Sequence, residues 1–275
     1  MRILKGNSLI IFFILAFLFP WLIWGTTIAQ NHDVLSFHIP QSLAFWIGLT
    51  FATYISAFLA GGIPVIRDLL LRLIRWRVQP IMYLAAFTTT GIISAFSIGI
   101  YLVWGGTHQV GVSLVPGEII PSLLFQIFFF GLTEETAWRG FALPRLQKKL
   151  NPLVSSLILG LFWGLWHIPL VFIPGSFQST IPFVGFLLSA IATSIQMTWM
   201  FNQSKGSVLI TAIFHAATDV TIAFFNVMTG DLRLFWIFIT LQWVMAIVLI
   251  IHPSSAFLRP VNHLGMSEVV YPPDN

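Results

Sequence analysis

Two adjacent glutamates, Glu134 and Glu135, stand in the stretch GLTEETAWRG (131–140), directly after the apolar run PSLLFQIFFF, and Arg139 follows close behind. Two further apolar stretches carry ionisable groups: His167 in FWGLWHIP, and His215 with Asp219 in HAATD. On a helix, Glu135 and Arg139 share one face with the acid before the base, the favourable order for a pair four residues apart. Glu134 lies about 100° round the helix from Glu135. It has no counter-charge at pairing distance on its own helix and is the better general base of the two. His215 and Asp219 are also four apart, so either the acid orients the imidazole or both face one cavity.

A carboxylate base, two imidazoles and a second carboxylate are what hydrolysis by activated water requires. The base takes a proton from water, and hydrogen-bonding or cationic groups stabilise the oxyanion that forms on the attacked carbonyl. The same side chains, His167, His215, Asp219 and Glu134, could instead hold a divalent metal such as zinc that acidifies the water. The helical HExxH motif is absent, so such a metal would be bound across separate helices. GxSxG and the GxxxxGK[ST] phosphate loop are missing too, and the absence of cysteine removes thiolate chemistry and disulfides.

The segments that position these groups are membrane helices. Of the 275 residues 57% are hydrophobic and only 8% charged, with a mean hydropathy of +0.90; soluble domains carry about 25% charged residues. A spanning helix needs roughly 20 apolar residues. Eight stretches qualify, at 8–29, 41–66, 79–105, 120–143, 152–173, 182–202, 207–229 and 234–252. With the amino terminus inside, the cytoplasmic segments hold Arg2, Lys5, Arg67, Arg72, Arg75, Arg77, Arg139, Arg145, Lys148, Lys149, Lys205 and Arg259, and the other side only Arg233. That asymmetry predicts an all-α polytopic membrane protein of about eight transmembrane helices with both termini cytoplasmic. We expect a single transmembrane domain over 1–275, with a catalytic core at about 120–225. No basic stripe interleaved with aromatics is present, which excludes nucleic-acid binding.

Three local features complete the reading. The first apolar run is long for a signal peptide and is expected to remain as an anchor. RDLLLRLIRWR (67–77) is either an amphipathic helix on the cytoplasmic surface or a charged stop-transfer loop. His32, His38, His108, His252 and His263 fall in loops or at span ends and are expected to be solvated. At about 1.5 Å per residue, Glu134 and His215 lie roughly 12–14 Å from the cytoplasmic ends of their spans and His167 roughly 22 Å. His167 therefore joins the others only if its span is tilted or starts late.

EETAWR (134–139), WGLWH ending at His167, and HAATD (215–219) resemble, in order and spacing, the EExxxR, FxxxH and HxxxN or HxxxD motifs of the CPBP family, the Abi or type II CaaX prenyl endopeptidases. The resemblance covers roughly residues 120–225. It implies that Glu134 activates water with help from His167, that His215 and Asp219 stabilise the oxyanion or bind metal, and that Glu135 with Arg139 is the supporting pair. Two positions depart from the pattern. Trp163 replaces the motif phenylalanine, a size change at a packing position. Asp219 stands where the eukaryotic enzymes have asparagine, and an ionised carboxylate cannot donate to an oxyanion.

The resulting expectation is an intramembrane endopeptidase of the cell membrane, opening toward the cytoplasm and cleaving a protein or peptide that is membrane-associated and lipid-modified in the prenylated case. A non-catalytic scaffold that binds membrane partners is the second reading. A proton-coupled transporter is the third, though neither repeat symmetry nor broken helices are evident.

Overall fold

The computed structural model describes residues 7–37, 39–40, 42–110, 114–252 and 257–258. Arg2, Lys5, His38, Arg259 and His263 lie outside the described residues. Every regular element among the described residues is helical.

Eight helices are long and apolar enough to cross a membrane: α1 (Ser8–Asn31), α2 (Ala44–Gly61), α4 (Pro80–Val103), α5 (Pro116–Gln147), α6 (Pro152–Val171), α7 (Phe183–Gln203), α8 (Val208–Phe225) and α9 (Leu232–Ile251). The chain is thus a multi-pass integral membrane protein. Helix α3 (Ile63–Leu73) joins α2 to α4.

The spans meet their expected positions within a few residues, with one instructive exception. The second was expected to run on to residue 66, but it stops at Gly61. Gly62 takes a positive φ of 71° and donates its N–H to Phe58 O. Pro64 then sits in the first turn of α3, where its missing N–H costs nothing. A left-handed glycine followed by an early proline closes one helix and opens the next.

Helix α3 resolves the two readings of 67–77 in favour of a helix, though it begins four residues earlier and ends at Leu73. It does not lie wholly on the surface. Leu69 and Arg72 are buried, while Leu70, Leu71 and Ile74 point outward. Arg72 Nε reaches Asp68 Oδ2 at 2.7 Å, and its guanidinium lies 5.9 Å over the Phe201 ring. Just beyond, Arg75 Nη1 donates to Lys205 O and Ser207 Oγ donates to Arg75 O at 2.7 Å. The basic segments after α2 and after α7 therefore meet at one end of the bundle.

Packing follows the period of the helices. Along α1, Ile10, Ile14 and Leu18 face outward at four-residue intervals, while Phe12, Ala16 and Trp24 are fully buried. In a bilayer such exposed apolar faces need no protein partner, since lipid tails cover them. The inner faces build an aromatic lattice. Phe12 packs on Trp138 and Phe141, with centroids 5.6 and 5.1 Å apart, and Trp166 contacts Trp24 at 4.7 Å and Trp138 at 5.9 Å. Indole N–H groups finish the joint between α1 and α6: Trp166 donates to Ala16 O at 2.8 Å and Trp21 to Trp166 O at 2.9 Å. Helix α8 lies against α4 and α5, and α7 lies between α6 and α9.

Candidate active site

Helix α5 is not a plain α-helix where the two glutamates stand. Leu132–Glu135 is a single α-helical turn between two π-helical stretches, Gln126–Gly131 and Thr136–Ala142. Wider turns of this kind inside an α-helix re-aim side chains and recur at functional sites. The helix is also drawn tight against α8. A methyl group at Gly131 would stand 2.8 Å from Ala212 O, so only glycine allows this approach. It brings the glutamates of α5 beside His215 of α8.

Glu135 and Arg139 pair as their spacing requires, Nη1 to Oε1 at 2.9 Å, with both side chains fully buried. The same oxygen of Glu135 accepts from His215 Nδ1 at 3.0 Å. A carboxylate brings no proton of its own, so Nδ1 carries the hydrogen and Nε2 is the nitrogen turned the other way. Nε2 lies 3.6 Å from Asp219 Oδ2, longer than a hydrogen bond but close enough for ion pairing, and Asp219 is 39% exposed. Glu135, His215 and Asp219 thus form a line from the buried interior toward the open side. Glu135 is more than the partner of Arg139: it fixes the orientation of the imidazole.

Glu134 is 3% exposed. It has no partner on its own helix, in keeping with its register, but it is not unheld. Trp163 Nε1–H of α6 donates to Glu134 Oε2 at 2.8 Å. The Trp163 ring packs edge-on to His215 at 5.5 Å, and the Arg139 guanidinium lies 4.8 Å over it.

His167 occupies the break where the α-helical part of α6 ends at Trp166 and a last turn, Ile168–Val171, begins. Its Nδ1 donates to Trp163 O at 2.8 Å, and its ring sits among Trp166, Phe186 and Trp163 at 4.9, 5.1 and 6.0 Å. No hydrogen bond joins it to Glu134, His215 or Asp219 among the described residues. Its connection to them runs through Trp163. Glu135, Arg139, His215 and Asp219 are linked directly, and Glu134 and His167 are both joined to Trp163, which packs on His215.

The residue that sequence reasoning underrated is Trp163, which contributes a hydrogen bond as well as bulk. A signal for it was present. A buried indole N–H usually pairs with an acceptor, and the span packed beside it carries two glutamates. His108, expected to be solvated, is instead part-buried with Nε2 2.6 Å from Phe225 O.

Among the described residues, no group of three or more histidine, aspartate or glutamate side chains could hold a metal ion. Of the side chains named as ligands, Glu134 Oε2 is bonded to the indole and His167 Nδ1 to a carbonyl. The four side chains are thus not gathered into one cluster, and the chemistry proposed here is derived from the chain's own residues.

This is the geometry that sits under the three sequence motifs. The family model "Type II CAAX prenyl endopeptidase Rce1-like" matches residues 116–221, from the start of α5 into α8. The matched stretch is similar to that family and carries the three motifs that resemble the CPBP pattern. A curated relative, CAAX prenyl protease 2 of Methanococcus maripaludis, is 34% identical over 104 residues, which cover 36% of this chain and 38% of the relative. The matched part therefore spans well under half of that relative's length. The matched family core holds all six ionisable residues singled out from the sequence.

Proposed function

We propose that this chain is an intramembrane endopeptidase that hydrolyses a peptide bond of a membrane-associated protein or peptide, using water activated by Glu134. The observation that carries the proposal is the buried Glu134 carboxylate, held from one side by Trp163, beside the aligned Glu135, His215 and Asp219. In that arrangement Glu134 takes a proton from water as its oxygen attacks the scissile carbonyl. The same proton then passes to the departing amine as the C–N bond breaks. Water is thereby added across the peptide bond with no residue consumed.

His215 supplies the oxyanion contact. Glu135 holds Nδ1–H, so a proton on Nε2 would lie between Asp219 and the developing negative charge. This gives the aspartate a role that asparagine cannot take: it is a counter-charge beside a protonated Nε2 rather than a donor to the oxyanion. His167 backs the site through the Trp163 carbonyl. Arg139 neutralises Glu135 at depth.

A lipid-modified substrate is supported by the printed name of the relative, a CAAX prenyl protease, and by the family description. The gathering of basic segments at the end formed by α3 and the α7–α8 turn supports an opening toward the cytoplasm, with the protein in the cell membrane.

The test is cleavage of a farnesylated CAAX peptide by the full chain in liposomes. Wild type should release the carboxy-terminal fragment, and Glu134→Ala should lose roughly 10²–10⁴-fold while its melting temperature holds. Chelator treatment should leave the rate unchanged; activity lost to chelator and restored by zinc would replace the metal-free scheme. A wild-type chain no faster than Glu134→Ala would make it a scaffold instead.

A further inference from the structure

Trp163 touches more of the site than any other side chain. Its indole N–H bonds Glu134 Oε2 at 2.8 Å, its ring meets the His215 ring edge-on at 5.5 Å, and Arg139 lies 4.8 Å above it. Its carbonyl oxygen accepts from His167 Nδ1 at 2.8 Å. The side chain is 8% exposed, so these contacts are made away from bulk water, where a hydrogen bond to a charged group is strong. A phenylalanine here, as in the family motif that this position departs from, would keep the backbone bond to His167 and most ring contacts. It would donate nothing to Glu134.

We propose that Trp163 is a positioning residue for Glu134: its indole N–H ties down Oε2 and leaves Oε1 as the oxygen that meets water. Glu134 Oε1 makes no hydrogen bond among the described residues. A glutamate side chain has three rotatable bonds, so an untethered base would spend much of its time off the line of proton transfer, and misplacement by about 1 Å can cost 10²-fold. The indole holds one oxygen and the carboxylate plane, while edge contact with His215 sets the spacing between base and oxyanion group. The inference rests on the endopeptidase reading, in which Glu134 is the base.

Two measurements on the full chain test it, and they separate its failure from failure of that reading. The first needs no substrate. In ¹⁵N-tryptophan-labelled protein in micelles, the indole resonance missing from Trp163→Phe identifies Trp163, and Glu134→Ala should move that proton upfield as its charged acceptor is removed. A resonance unmoved by Glu134→Ala overturns the proposal. The second is kinetic, on a farnesylated CAAX peptide. Trp163→Phe should lower kcat about tenfold, the scale of one lost hydrogen bond to a charged group, with KM within about twofold and the melting temperature held. A kcat within twofold of wild type would also overturn it. A merely structural role would move the melting temperature and leave the split between kcat and KM unaltered. If wild type itself fails to cleave the peptide, the endopeptidase reading falls and the resonance alone decides the tether.

Discussion

Of the acid–arginine pairs among the described residues, Glu135–Arg139 and Asp231–Arg233 are built in opposite ways. At the site, Arg139 and Glu135 are both fully buried and share one hydrogen bond at 2.9 Å. Arg139 Nε and Nη2 and Glu135 Oε2 find no hydrogen-bond partner among the described residues. At the far end of the bundle, Arg233 and Asp231 are 58% and 34% exposed, and every part of the acid is engaged. Arg233 reaches it through its backbone N–H, Nε and Nη2, and Tyr101 O–H donates to Oδ2 at 2.7 Å. Asp231 also caps α9. It lines a polar cavity of about 470 Å³ with Tyr101, His108 and Asn226. The outer pair is saturated and ends in itself. The inner pair is under-bonded, and its acid turns to a third group, His215, on another helix. A charge pair taken out of water is a poor source of stability, so the inner one earns its place by what it orients.

The comparison predicts its largest effect at Glu135. Glu135→Ala leaves Arg139 buried without its acid, a change that typically costs about 3–5 kcal/mol, and it frees His215 Nδ1. Thermal unfolding in micelles should show a large drop in melting temperature together with loss of peptide cleavage. Replacing both partners, Glu135→Met with Arg139→Leu, should recover much of the stability and none of the activity. If the single variant melts like wild type, the pair has no structural role. If the double variant cleaves, the pair does not orient His215.

Much of the fold was legible because membrane helices must satisfy their backbone internally and therefore announce themselves as long apolar runs. The Glu135–Arg139 pair was legible for a similar reason, as a spacing of four residues encodes a contact on one helix. What lay beyond reach was contact between helices. The bond from Trp163 to Glu134 joins residues 29 apart, and that from His215 to Glu135 residues 80 apart. Spacing along α8 offered His215 only Asp219, yet the closer acid is Glu135. The π-helical turns on either side of Leu132–Glu135 were equally hidden, since they come from how α5 fits its neighbours. The end of α2 was different: Gly61-Gly62-Ile63-Pro64 is a break written in the sequence, outvoted there by the apolar residues around it.

A second prediction sharpens the comparison through the packing that creates the inner site. Gly131→Ala would put a methyl group 2.8 Å from Ala212 O, which is backbone and cannot turn away. Forcing α5 off α8 should cost about 1–3 kcal/mol and open the gap between Glu135 and His215, so stability and cleavage fall together. Gly99→Ala is the matched control, because a methyl there meets nothing within 4 Å. Its melting temperature and rate should stay at wild-type values. Equal effects of the two substitutions would show that glycine matters here as a flexible residue and not as a close contact.

The smallest effect is expected at the outer pair. The Arg233 guanidinium first, and then the Tyr101 hydroxyl, hold the Asp231 carboxyl well below the usual carboxylate range. A depressed acid adds stability at any pH above its unfolded value of about 4, and that contribution is lost as the pH falls through its folded value. Asp231→Asn keeps a side chain able to cap α9 and removes only the charge. Because both partners are wet, the wild type should melt above the variant by about 2 °C or less between pH 5 and 8, and the difference should close only below about pH 4. Cleavage should be unchanged throughout. A gap of roughly 5 °C or more, or any loss of cleavage, would mean that the far pocket is coupled to the chemistry. The two acid–arginine pairs would then be parts of one network rather than a working pair and a surface one.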